Sequence, residues 1–338
     1  MGKKDSIAKV YMRENAVFAD IFNFYLYGGQ KKIHPEELRS LDTTELSIPY
    51  LNESSATTET AGKKIYHTGN TILDDIPVQK YRDILKTVIP KSDDRAIYLL
   101  GIENQADIHY AMPVKVGLYD FLQYDSQITE TASLHKREKT SNKISTGEFL
   151  SGFHKNDRLK PVITLTVYFG AEPWDGPQSL HEMFDEHYAE LIPYIQDYRI
   201  HLIEPAALKA DELCKFNSSL REVLGFIKYS KDKEKLKTLL KTNENFMHMD
   251  RDAVRMIQTY TNTKISFKEE EGSETNMCIA IDEMMDDSKE EGAKMALDLA
   301  KFLIRDKRFE DLERITEDIS FRNRLFEEYH IDFHQDLN

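Results

Sequence analysis

Asp83, Glu103 and Gln105 are the residues whose types and spacing could do chemistry: two carboxylates twenty positions apart, then an amide two positions on. Residues two apart on a strand share a face, so Glu103 and Gln105 point the same way. They follow the apolar run Ala96-Ile97-Tyr98-Leu99-Leu100-Gly101-Ile102. Asp83 falls in the alternating segment 78–89, which sets Tyr81, Asp83, Leu85 and Thr87 on one face. The polar turn Lys91-Ser92-Asp93-Asp94-Arg95 joins the two segments into an antiparallel hairpin deep in a sheet, a pairing that can bring Asp83 beside Glu103. Two such carboxylates are hard oxygen ligands suited to Mg2+ or Mn2+. A cation there would polarise a scissile phosphate and lower the pKa of its bound water. The spacing alone is not selective, because carboxylates at strand ends are more often solvated turn residues.

The elements that must position these residues are legible in outline. The segment 14–28 has the spacing of a helix with one apolar face (Val17, Ile21, Phe22, Tyr25, Leu26), and Gly28-Gly29 supplies its stop. Residues 52–75 are rich in Ser, Thr, Asn and Gly with little periodicity and read as a mobile loop. The segment 111–128 reads as a helix with Val114, Leu118, Phe121, Leu122 and Asp125 along its faces, and 135–148 as a basic loop. Residues 162–169 form the clearest strand, rich in β-branched and aromatic side chains, and 198–203 form another. Beyond Pro205 the periodicity is helical, over 213–240, near 250–260 and over 289–329. The expected organisation is an α/β module over residues 1–210 and an α-helical C-terminal region over 211–338.

Composition bounds the function classes. The 338 residues are 40% hydrophobic and 31% charged, as in soluble globular chains. No apolar run approaches the ~18–20 residues that span a bilayer, and no apolar segment follows the basic N-terminus, so a membrane or secretory destination is not expected. Cys214 and Cys278 are far apart without CxxC spacing, which fits reduced thiols and a cytosolic location, in a prokaryote the cytosol or nucleoid. The formal charge of −14 is unevenly placed: 13 Lys and Arg against 24 Asp and Glu from Asn243 onward leave −11 there and only −3 over residues 1–242. The acidic third is a poor DNA surface, whereas basic patches in the rest could meet phosphates.

Several stretches together resemble one family. Tyr81-Arg82-Asp83-Ile84-Leu85, then Tyr98-Leu99-Leu100-Gly101-Ile102-Glu103-Asn104-Gln105, then Pro161-Val162-Ile163-Thr164-Leu165-Thr166-Val167-Tyr168-Phe169-Gly170 look like successive core strands of the Rpn family. These are recombination-promoting nucleases and transposases, a branch of the PD-(D/E)XK superfamily. Trp174-Asp175-Gly176-Pro177 and Leu220-Arg221-Glu222-Val223-Leu224 extend the resemblance. It implies a restriction-endonuclease-like α/β fold, a mixed sheet flanked by helices, and a Mg2+- or Mn2+-dependent DNA endonuclease associated with recombination or mobile elements. Carried over, Asp83 and Glu103 would be metal ligands, with the Asn104 backbone carbonyl as a third and Glu14 or Asp20 as a candidate acid from the first helix, Glu14 being the one carried into the ligand set. Gln105 stands where the superfamily has a lysine; a neutral amide can orient a water but cannot act as a base. Double-strand cleavage with one site per chain would favour a homodimer.

Other signals are weaker. Asp42 reads as a structural or capping residue. His181, Glu182 and His187 lack the spacing of a zinc helix. His109 reads as a loop residue near the site, Trp174 as packed under its turn, and the lysines from Lys228 to Lys241 as a solvated helix face. Lys136, Arg137, Arg158 and Lys160, with Lys139 and Lys155, flank the expected sheet and are the candidates for phosphate contact. Two rival readings stay open: a catalytically impaired nuclease fold serving as a DNA-binding or protein-interaction module, and a helical scaffold whose α/β part is only a support.

Overall fold

Two helices open the chain, α1 (Lys3–Arg13) and α2 (Asn15–Tyr27). α2 buries Val17, Phe18, Ile21 and Phe22 and ends at Gly28, whose φ of 60° a glycine adopts without strain, as the Gly28-Gly29 pair predicts. The computed structural model describes residues 3–41, 44–47, 57–60, 63–68, 71–73, 78–91, 98–138, 144–263 and 274–331. Asp42 and Lys139 lie outside them. In chain order there follow β1 (Leu38–Ser40), β2 (Thr44–Ser47), β3 (Thr57–Thr60), β4 (Lys63–Thr68), β5 (Thr71–Leu73), β6 (Val78–Tyr81), β7 (Ile84–Val88) and β8 (Tyr98–Gln105). Then come α3 (Met112–Glu138), α4 (Thr146–Ser151), β9 (Val162–Tyr168) and β10 (His201–Ile203).

The main sheet has the order β1-β7-β8-β9-β10, with antiparallel pairs on one side of β8 and parallel pairs on the other. This is the expected mixed sheet flanked by helices. β8 lies inside it and is buried from Leu99 to Gln105, which explains its near-continuous apolar run. Ile84 pairs with Ile102 and Val88 with Tyr98, the hairpin register anticipated for these segments. β9 returns beside β8 in parallel through α3, which packs on β9 where the Thr164 hydroxyl donates to Asp120 Oδ1 at 2.6 Å.

Four expectations are corrected. The stretch 52–75 contains the antiparallel sheet β3-β4-β5, in keeping with its β-branched Thr and Ile, rather than being loop throughout. The segment 78–89 is two strands, not one: β6 pairs with β2, β7 pairs with β8, and the break falls at Arg82-Asp83, where the Arg82 side chain turns into the core. α3 continues through His135, Lys136 and Arg137, because no Gly or Pro interrupts the chain after Gly117. Its inner face is Met112, Val116, Tyr119 and Asp120, and Val114 and Phe121 lie on its outer side, 49% and 63% exposed. The strand expected at 198–203 keeps only His201–Ile203, since the Tyr198 hydroxyl is drawn away to donate to Asp120.

Gly101 sits at the tightest crossing of the sheet. A Cβ there would come 2.4 Å from Arg82 Nη1 and 2.7 Å from Thr164 Oγ1, both locked in hydrogen bonds. Gly101→Ala is expected to cost about 1–3 kcal/mol by overpacking. The measurement is the urea midpoint beside that of Gly147→Ala, which faces open space in a helix and is expected to be neutral or slightly stabilising. Equal midpoints would remove the steric argument.

The chain divides into two compact units, one of Met1–Leu239 with Asp252–Asn262 and one of Leu240–Arg251 with Thr263–Asn338. Beyond residue 210 the first carries α5 (Ala210–Leu213), α6 (Leu220–Tyr229), the start of α7 (Lys233–Thr242) and nearly all of α8 (Arg251–Thr261). In the second, α9 (Met277–Arg305), α10 (Phe309–Glu317) and α11 (Ile319–Glu328) enclose Leu299, Leu303, Ile315 and Leu325. Among the described residues no helix is long and apolar enough to cross a membrane.

Candidate metal centre

The register of β7 on β8 carries Asp83 opposite Glu103, at the carboxyl end of the parallel strands β8 and β9. Two hydrogen bonds fix the pair: the Asn104 N–H donates to Asp83 Oδ2 at 2.8 Å, and the Asp83 N–H reaches Glu103 Oε1 at 3.4 Å. Glu103 is fully buried, Gln105 and Asn104 nearly so, and Asp83 half-buried. The structure thus brings Asp83, Glu103 and Gln105 together.

The electrostatics of the pair are set first by burial. Burial pushes the Glu103 carboxyl up to about 7; Lys115 pulls the other way and the Asp83 charge adds to the rise. Burial likewise raises Asp83, against the Asn104 hydrogen bond and the charges of Lys115 and Lys9. Lys115, from the first turn of α3, sets its Nζ 3.0 Å from Glu103 Oε2. This is an ion pair by distance but poorly directed as a hydrogen bond, and Glu103 Oε2 and Thr166 Oγ1 beside it have no directed hydrogen bond among the described residues. A buried carboxylate oxygen with spare lone pairs next to a second carboxylate is a donor set that a hard divalent cation fits.

Sequence reasoning missed Lys115. The available signal was a lone cation in the otherwise apolar stretch Met112-Pro113-Val114-Lys115-Val116, ten positions past Gln105. It also missed α1: Asp5 and Lys9 are the first-helix charges that weigh most on Asp83, whereas Glu14 is exposed at the N-cap of α2. Tyr260 lies close by, its hydroxyl raised by burial and by the charges of Asp5 and Asp83. His109 is near Lys115, and desolvation and that charge hold its imidazole low.

The basic candidates for phosphate contact are not gathered at this pair. Lys136 and Arg137 are in the last turn of α3, and at 1.5 Å per residue that is about 30 Å along the helix from Lys115. Lys160 precedes β9 by two residues, about 20 Å along the strand direction from the Glu103–Thr166 pair, and Arg158 lies beyond it, donating to the Lys155 and Asp157 carbonyls. Lys136 and Arg137 ride the helix that replaces the expected loop, and Arg158 and Lys160 lie just ahead of β9, so all four are too distant to touch a phosphate bound at Asp83 and Glu103.

No curated protein and no solved structure matches the chain. Over residues 78–256 it matches a family described as "Putative transposase, YhgA-like". That span includes Asp83, Glu103, Gln105, Lys115 and the strands β7, β8 and β9 that position them, and it exceeds half of the 338 residues. On that match the chain belongs to the YhgA-like transposase family.

Proposed function

We propose that this protein is a metal-dependent DNA endonuclease whose cation, Mg2+ or Mn2+, is held by Asp83 and Glu103. The observation that carries the reading is the locked carboxylate pair, Glu103 fully and Asp83 half buried, with burial pushing both acids up. When bound, the cation supplies Lewis-acid polarisation of a phosphate oxygen and acidifies its water. The chain's own residues do the positioning. Asn104 orients Asp83 through its N–H, and Gln105, neutral, can only hydrogen-bond an attacking water. Lys115 is 28% exposed and free to turn its ammonium toward a phosphate oxygen, supplying from a helix the charge that the strand lacks at Gln105.

The test is nicking of supercoiled plasmid by the full chain with Mg2+ or Mn2+ and with chelator. Cleavage that needs the cation supports the reading. Tight plasmid binding with no cleavage under any cation would instead support the second reading, a nuclease fold retained for DNA binding, which Gln105 favours.

Lys115→Met is expected to slow cleavage about 10²–10³-fold, the usual cost of one charge-stabilising donor. Lys115→Arg is expected to recover part of the rate. Mn2+ affinity, read by electron paramagnetic resonance, is expected to hold or tighten in Lys115→Met, since a competing cation has left Glu103. Loss of Mn2+ binding together with activity would show that Lys115 only maintains the site.

A further inference from the structure

We propose that His135, His154 and Asp157 form a second metal site, of the kind that takes Zn2+, separate from the carboxylate pair. One ligand atom from each of the three lies within 4.8 Å of the others. His135 is in the last turn of α3, and His154 and Asp157 sit on the turn that follows α4. His135 is about 30 Å along α3 from Lys115, so the two centres share no ligand.

The three groups are already gathered at one place. Asp157 Oδ2 accepts the His154 backbone N–H at 2.6 Å and lies 2.8 Å from His135 Nε2. The Asp157 N–H in turn donates to the His154 carbonyl at 2.9 Å, closing the turn. The two imidazoles stack with centroids 3.6 Å apart and planes 19° from parallel. All three residues are half-buried, and the His154 ring makes no hydrogen bond among the described residues. Tetrahedral Zn2+ with bonds near 2.0 Å needs donor atoms about 3.3 Å apart, so binding would draw the atoms together by one or two ångströms and rotate the imidazoles out of their stack until both lone pairs meet the ion. The ion would take the place of the proton between His135 Nε2 and Asp157 Oδ2.

Two imidazoles and one carboxylate suit Zn2+ rather than Mg2+, which prefers oxygen alone. Glu148 is nearby but committed: its carboxylate accepts the N–H groups of Ser145 and Lys155 and the Ser145 hydroxyl, which hold it well below the usual carboxylate range. The fourth position is thereby left to water or an added ligand. It opens on a cavity of about 200 Å³ lined by His135, His154, Ile144 and Phe149. The bound ion would clamp the end of α3 to the turn that leads into β9.

The test uses the full chain stripped of metal and titrated with Co2+ and with Zn2+, with circular dichroism confirming the fold of each variant. One equivalent of Co2+ is expected to give the visible bands of a tetrahedral site, displaced by Zn2+. The bands are expected to persist in Asp83→Asn/Glu103→Gln. His135→Gln and, separately, His154→Gln are expected to weaken Zn2+ binding more than the about 10–100-fold that loss of an outer-shell partner costs. No tetrahedral band in the wild type, or undiminished affinity in either folded histidine variant, would overturn the site. Bands lost in Asp83→Asn/Glu103→Gln would also overturn it, by moving the ion to the carboxylate pair.

Discussion

Glu103→Gln is expected to lower metal-supported plasmid cleavage by at least about 10³-fold while leaving the fold intact. A metal-held charge contributes several kcal/mol to a phosphoryl transition state, and each 1.4 kcal/mol is about tenfold in rate. Glutamine keeps the shape of Glu103 in a site with no solvent exposure but removes the charge that would hold the cation. The same substitution removes a charge that desolvation first, and then Asp83, disfavour, against the loss of the Lys115 ion pair. Stability at neutral pH is therefore expected to stay level or rise, the behaviour of a functional residue held at a cost to the fold. Mn2+ affinity is expected to fall with the rate. Asp83→Asn should act in the same direction, because its amide oxygen can still accept the Asn104 N–H. Unchanged cleavage in both variants would remove the assigned site, and a melting temperature that drops along with activity would reassign Glu103 to the fold.

The part of this site legible in the sequence is the part built from local periodicity. The run that ends at Ile102 fixes β8, the two-residue spacing puts Glu103 and Gln105 on one face, and the antiparallel pairing of β7 with β8 sets Asp83 beside them, the turn expected over 91–95 lying beyond the described residues from Ser92 on. The part not legible depends on a surface that only the folded sheet creates. The spacing over 111–128 reads as a helix without showing which of its residues face the sheet, and α3 turns Lys115, Tyr119 and Asp120 toward β7, β8 and β9. The reason lies across the sheet. Arg82 and Glu103 are fully buried charges, and each demands a partner that apolar side chains cannot supply. Polar residues on a helix count against burial in a periodicity argument, so the inner face of a helix chosen to satisfy buried charges is not legible in its spacing. The same cause breaks the segment 78–89, where alternation anticipates one strand and the inward turn of Arg82 makes two.

Asp120→Ala is expected to damage the fold strongly, by about 3–5 kcal/mol, the usual cost of removing one partner of a buried ion pair. Asp120 Oδ1 accepts from Arg82 Nη2 at 3.0 Å and from the Thr164 hydroxyl at 2.6 Å, and its other oxygen accepts from the Tyr198 hydroxyl. Arg82 Nη1 donates to Thr164 Oγ1 at 2.7 Å, and its guanidinium lies 5.3 Å from the centre of the Tyr119 ring. Burial, then the Asp120 charge, hold the Tyr198 hydroxyl far above its ordinary range, so it stays a donor throughout the accessible pH range. Removing the carboxylate takes the ion-pair partner from a guanidinium with no solvent exposure and the acceptor from two hydroxyls. Urea unfolding measures the loss, and a double-mutant cycle with Arg82→Met separates the pair from the rest. The double variant Arg82→Met/Asp120→Leu is expected to recover much of the loss, since apolar replacement of a whole buried pair is often close to neutral. Arg82 precedes Asp83 directly, so the cycle also reads the site: Asp120→Ala is expected to weaken Mn2+ binding even where the protein remains folded. A loss below about 1 kcal/mol, the range of an exposed pair, would mean that the network does not hold the β6–β7 break in place, and that Asp83 is positioned by the Asn104 hydrogen bond alone.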